Sequence, residues 1–328
     1  MGRSYTLRKS RTVQNLARSA VTPLVVGGAA VAFLEIARRI FRHVQLFCPD
    51  REPLKTWNPD DYGIPRERVA EHAFETPDGE MLYGWYCRAD DPIASIVFCH
   101  GNTGNLTKSA EAVGVLVRSG FNVLMFDYRG FGRSTGRPSF TGVIADGVTA
   151  ARFHDQIRPA HLPAILYGYS LGGAVAAQVI RHHAFDGLIL QSTFTSLPDV
   201  ARAIWPRLPV HRIAGNYFDT RAAIARLDVP LLVLHGSSDE VVPVWMGRSL
   251  YEACKAKKDV HIVDGGLHKD LFERDAAPVV AAIHRFIAGL PPGGRIVEAQ
   301  KPGAIDQAID AAFRAVRRQL RRRPRHAV

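Results

Sequence analysis

The sequence predicts an α/β fold, with a mostly parallel central sheet, helices on both faces and a small cap insertion. Two observations carry this. From Arg66 onward, short apolar runs alternate with helix-length segments across glycine-rich or polar turns, which is the rhythm of βαβ units. Continuous aliphatic runs, such as Leu231-Leu232-Val233-Leu234, suit strands buried on both faces of a parallel sheet. With 328 residues, 47% of them apolar, the chain can bury one large core and still carry appendages.

Residues 1–48 read as a basic leader and membrane anchor. Arg3, Arg8, Lys9, Arg11 and Arg18 precede the uncharged stretch Val21 to Leu34. That stretch alone is too short to span a bilayer, but the interval from Arg18 to Arg38, with Glu35 included, reaches about spanning length. A surface or core helix, or a signal peptide cleaved at Ala30-Val31-Ala32, are the other readings.

A globular domain is expected over residues 61–290. It opens with a hairpin, His72 to Thr76 and Met81 to Cys87, turning at Pro77-Asp78-Gly79. Further strands are expected at Ser95 to Cys99, Asn122 to Phe126, Pro163 to Tyr167, Gly187 to Leu190, Pro230 to His235 and Asp259 to Val263. Helices fall between them, at Ser109 to Ser119, Gly142 to Gln156, Leu171 to His182, Met246 to Lys255 and Ala277 to Ala288. The segment 193–229 is longer than one crossover helix requires and holds Ile204-Trp205-Pro206, Tyr217 and Phe218, so it reads as an apolar cap; a long crossover packed on the core is the alternative.

Residues 291–328 form the other appendage. Seven arginines lie between Arg314 and Arg325, while Ile305, Ile309, Phe313, Val316 and Leu320 recur at helical spacing. A basic amphipathic helix of this kind suits an anionic membrane surface; a solvated tail is the plainer reading. The net charge of +11 is concentrated at the ends of the chain, which argues against nucleic acid as a partner. A membrane-associated location, single-pass or peripheral, is expected, with a cytoplasmic one as the alternative. The four cysteines, Cys48, Cys87, Cys99 and Cys254, lack metal-like spacing and read as reduced and structural. No HExxH, Walker A or helix-opening GxGxxG pattern occurs, so no cofactor is implied.

Chemistry is concentrated in Gly168-Tyr169-Ser170-Leu171-Gly172-Gly173, which follows an expected strand and opens an expected helix. A serine on so tight a turn needs small neighbours, and the Leu171 N–H at the helix start would face developing negative charge. A nucleophilic serine also needs an acid and a histidine. Asp239, after the strand ending at His235, is the candidate acid, with Glu240 as its rival. His268, on the next such loop, is the one strand-end histidine after Asp239 and the candidate base. The turn His100-Gly101-Asn102-Thr103-Gly104-Asn105 would bring the Asn102 N–H to the same point as a second oxyanion donor.

These segments, with TPDGEMLYGWY, FDYRGFGRSTGRPS and STFTSLPDVA in the same order, resemble the α/β-hydrolases over roughly Asp61 to Ile287. Within them the chain is similar to the small-cap, often membrane-tethered group with acyl-protein thioesterase-like and monoacylglycerol lipase-like members. The resemblance implies an oxyanion hole from the residues after His100-Gly101 and after Ser170, with Asp127 and Arg129 fixing a loop beside the site. The family carries Gly-His-Asn or Gly-His-Asp around its histidine; Leu267 replaces that glycine here, so a differently shaped loop is expected. The expected activity is cleavage of carboxylic esters or thioesters of acylated or other small-molecule substrates. A soluble peptidase-like hydrolase and a non-catalytic membrane-associated scaffold are the competing readings.

Overall fold

The computed structural model describes residues 46–204, 206, 207 and 218–290. The expected anchor and the arginine tail therefore lie outside the described residues, as does part of the cap segment. Strands β1 (Cys48–Pro49), β2 (Val69–Glu75), β3 (Met81–Cys87), β4 (Ala94–Cys99) and β5 (Thr103–Gly104) lead into helix α1 (Ala110–Arg118) and strand β6 (Phe121–Phe126). Then follow α2 (Phe140–Ile157), β7 (Ala164–Tyr169), α3 (Leu171–Val179), β8 (Gly187–Gln191), α4 (Leu197–Ile204) and α5 (Thr220–Ile224). Strand β9 (Leu231–Gly236), helix α6 (Val244–Ala253), strand β10 (Lys258–Val263) and helix α7 (Leu271–Ala288) complete the order.

The main sheet has the order β10-β9-β8-β7-β4-β6-β3-β2. From β10 to β6 every pairing is parallel; β3 runs antiparallel to both β6 and β2. The central strands β4, β6, β8 and β9 are buried at every residue, which is why their sequences read as unbroken apolar runs. The edge strand β2 instead alternates exposed and covered positions. A core around Ile96, Phe98, Val123, Ile165, Ile189 and Leu232 fills one side of the sheet, closed by α1 and α7.

Each expected strand is present, with ends shifted by up to three residues. Helix α7 is two helical segments separated by a break at Asp275 (φ −150°, ψ 53°): the expected helix from Ala277 to Ala288 lies in the second, with Pro278 in its first turn where no N–H donor is needed, and the short segment that begins at Leu271 was not expected. The described residues of the segment 193–229 include α4 and α5, and Ser196 and Asp219 form an isolated antiparallel bridge. The fold also takes in residues ahead of Asp61: Phe47 is buried, and β1 pairs in parallel with β5.

All the parallel strands point the same way, so the loops after β4, β7, β8, β9 and β10 gather along one edge of the sheet. Such an edge, where strands end and helices begin, is where open α/β sheets place their ligands.

Candidate active site

Ser170 stands between β7 and α3 with φ 54° and ψ −119°, a conformation that L-residues avoid. The corner is held by neighbours without side chains. A Cβ on Gly172 would fall 2.0 Å from the Cys99 carbonyl oxygen, and one on Gly168 would fall 2.4 Å from Gly173 Cα. The Ser170 N–H donates to Gln191 O at 2.9 Å, and Thr193 Oγ1 donates to Ser170 O at 2.6 Å, so β8 braces the turn from the side.

His268 Nε2 lies 3.0 Å from Ser170 Oγ, and its Nδ1 lies 2.9 Å from Asp239 Oδ2 and 3.1 Å from Oδ1. The three residues are 98 and 29 positions apart along the chain, yet all are nine-tenths or more buried. Since an ionised carboxylate can only accept, Nδ1 carries a proton and Nε2 offers its lone pair to the Ser170 hydroxyl. That arrangement can draw a proton from the serine as it adds to a carbonyl.

Asp239 is well supported. Burial opposes its charge, but His235, His268 and the Val242 N–H outweigh burial and hold its carboxyl below the usual carboxylate range. Its Oδ1 accepts from the N–H groups of Val241 (2.9 Å) and Val242 (2.7 Å). His235 Nε2 donates to Val242 O at 2.8 Å and lies 3.3 Å from Asp239 Oδ2, which fixes its tautomer. Glu240 takes a different part: its Oε2 accepts the His268 backbone N–H at 3.1 Å. In the histidine loop the left-handed residue is Gly265 (φ 63°), so Leu267 keeps an ordinary conformation while its N–H donates to Asp270 Oδ1 at 2.6 Å.

The loop of Asn102 abuts the elbow. A Cβ on Gly101 would sit 3.7 Å from Ser170 Cβ, and one on Gly172 2.6 Å from His100 O. Leu171 opens α3, where the first amides have no intrahelical acceptor, and neither its N–H nor that of Asn102 donates a hydrogen bond among the described residues.

Behind this loop Asp127 accepts the Leu106 N–H at 2.6 Å and lies 3.5 Å from His100 Nε2. Burial pushes the Asp127 carboxyl up to about 7 and the His100 imidazole down to about 4. Arg129 ties Asp146 of α2 (2.8 Å) to Asp78 of the hairpin turn (2.7 Å). Burial also pushes the thiols of Cys87 and Cys99 up to about 12, which leaves them unreactive.

Sequence reasoning missed His235 and the role of Glu240. His235 precedes the acid in the chain, so the order serine, acid, histidine does not select it; its spacing of four residues from Asp239 was the available signal. His154 on α2 is fully buried and lies 2.6 Å from Ser95 Oγ on β4, a core contact.

The sheet order, the elbow and the loops gathered over it define a hydrolase of the α/β-hydrolase fold. More narrowly, the family described as Serine aminopeptidase, S33, matches residues 90–223 and 214–275, more than half of the chain, and the chain belongs to that family. Over 218 residues it is 34% identical to the uncharacterized protein Rv2307c of Mycobacterium tuberculosis, covering 65% of this chain and 77% of that one. Over 232 residues it is 29% identical to the uncharacterized membrane protein YNL320W of Saccharomyces cerevisiae, covering 66% and 78%. Among solved structures, the Pyrococcus furiosus esterase Pf2001 superposes with a TM-score of 0.62 at 18% identity, over 74% of this chain and 98% of that one.

Proposed function

We propose that the chain is a serine hydrolase that cleaves carboxylic esters or thioesters of acyl or lipid-like substrates through an acyl-enzyme. The observation that carries this is the unbroken series Ser170 Oγ, His268, Asp239, at 3.0 and 2.9 Å. In the reaction Ser170 Oγ adds to the carbonyl carbon while its proton passes to His268 Nε2. Asp239 stabilises the resulting imidazolium, and the Leu171 and Asn102 amides receive the oxyanion. His268 then returns the proton to the leaving alcohol or thiol, and a water, deprotonated in the same way, releases the acid.

Acyl substrates are supported by the apolar segment 193–229, in which Phe194 and Phe218 are buried, by the uncharged stretch near the N-terminus and by the basic amphipathic sequence of 291–328. The name of the yeast relative favours membrane association. Among the described residues no helix is long and apolar enough to cross a membrane, so a tether would lie in residues 1–45 and a basic surface contact in 291–328. The family description favours a second reading, an aminopeptidase-like amidase.

A panel of p-nitrophenyl acyl esters, acyl thioesters and aminoacyl p-nitroanilides tests both. The expected result is turnover of esters and thioesters that rises with acyl length and falls at least about 10⁴-fold in Ser170→Ala. Faster cleavage of aminoacyl amides than of any ester would transfer the assignment to the peptidase reading.

A further inference from the structure

The chain enters the fold across the loop that carries Asn102. Strand β1 lies parallel to β5, with Cys48 opposite Thr103 and Pro49 opposite Gly104. The Cys48 N–H donates to Asn102 O at 2.8 Å, and the Asp50 N–H donates to Gly104 O at 2.8 Å. Asn105 Nδ2 reaches back to Asp50 O (3.2 Å) and Glu52 O (2.6 Å), and the Leu54 N–H donates to Thr107 Oγ1 (2.8 Å). On its other side the same arm is fastened to the loop after β6: the Gly132 N–H donates to Asp50 O at 2.9 Å, and Arg51 Nη1 to Ser134 O at 3.0 Å. Its start is held by Phe47, whose ring lies 5.6 Å from that of Phe140, itself 5.4 Å from Phe218 in the segment 193–229.

The Asn102 loop needs an outside hold. It contains two glycines, one of them in the left-handed region (Gly104, φ 80°), and it pairs with no strand of the main sheet. A donor that must meet an oxyanion at hydrogen-bond distance loses its value when its backbone wanders by about 1 Å. Tyr128 Oη donates to His100 O at 3.2 Å and so holds the peptide unit ahead of Gly101. On the far side of the Asn102 N–H, the arm holds the carbonyl of Asn102 itself and that of Gly104. Residues 47–54 precede the span matched by the family, which begins at residue 90.

We propose that the arm Phe47 to Leu54 is a positioning element for the oxyanion hole, acting through the Cys48 N–H bond to the Asn102 carbonyl. This rests on the reading of Asn102 and Ser170 as parts of a hydrolytic site. The arm never touches substrate; it fixes the conformation of the residue that does.

The test is Cys48→Pro in the full chain, which deletes that one donor. The readouts are kcat and KM on a p-nitrophenyl ester and the inhibition constant of an acyl trifluoromethyl ketone, whose serine adduct carries the oxyanion. The expected result is a kcat loss of about 10- to 100-fold, KM within about twofold, and weaker ketone inhibition by the same factor as kcat. Cys48→Ala, which keeps the N–H, restores wild-type values. Should Cys48→Pro not fold, Phe47→Ala loosens the arm at its anchor and is expected to shift kcat and ketone affinity together. A fall in melting temperature with kcat and ketone affinity intact, in whichever variant folds, would overturn the proposal while Ser170→Ala still abolishes turnover. A wild-type protein without esterase turnover would instead fail the underlying reading, and the arm's role would fall with it.

Discussion

Ser170 is held at φ 54°, ψ −119°, and a strained residue in a braced turn stores energy that the fold supplies from elsewhere. Alanine in its place removes the hydroxyl but keeps the strain; glycine removes both. Ser170→Gly should therefore be more stable than Ser170→Ala by about 1 kcal/mol, read as the difference in urea midpoint at a common slope. Both should be inactive. Equal stabilities would mean that the corner is relaxed. At this scale the sequence was legible wherever chain order carried information: Ser170, Asp239 and His268 follow from the sequence of strand ends. The sequence preferred Asp239 and kept Glu240 as its rival, but it did not show that Glu240 has a part of its own, because the two share one loop. Their separate parts, one on the His268 ring and one on its backbone N–H, exist only once that loop has folded.

The elements around the site are joined by buried charge. Arg129, on the loop after β6, links Asp146 of α2 with Asp78 in the β2–β3 turn, and Asp146 is completely buried. Removing the guanidinium strands that carboxylate without a counter-charge. Arg129→Ala should cost about 3 kcal/mol or more in equilibrium unfolding, whereas Arg129→Lys, which keeps charge but not the two-sided fork, should fall between. A cost under about 0.5 kcal/mol would show that water replaces the arginine. The elements themselves were readable where they are long and periodic. The two-residue strand β1 has no periodicity to read, so Phe47 and Cys48 fall at the end of the expected leader and residues 49–60 belong to no expected element. The start of α7 was hidden by Pro278, whose helix-breaking character marks the second half of a kinked helix as though it were the beginning.

For the whole molecule, the alternation of strands and helices was enough to predict the layered architecture, because burial on both faces leaves unbroken apolar runs in the central strands. Strand order was not in the sequence. That β4 lies between β6 and β7, and β3 between β6 and β2, depends on pairings between segments far apart in the chain. That order brings the loops after β4, β7, β9 and β10 to one edge, so four segments far apart in the chain, Ser170 and His268 among them at 98 positions apart, meet at one serine. The account of the molecule as a hydrolase depends on that meeting being reactive. Its most direct test is mass spectrometry of the full chain after exposure to a fluorophosphonate, followed by peptide mapping. The account predicts one adduct per chain, on Ser170, lost in Ser170→Ala and strongly slowed in His268→Ala. No adduct on the folded wild-type protein, or an adduct on another residue that persists in Ser170→Ala, would contradict it.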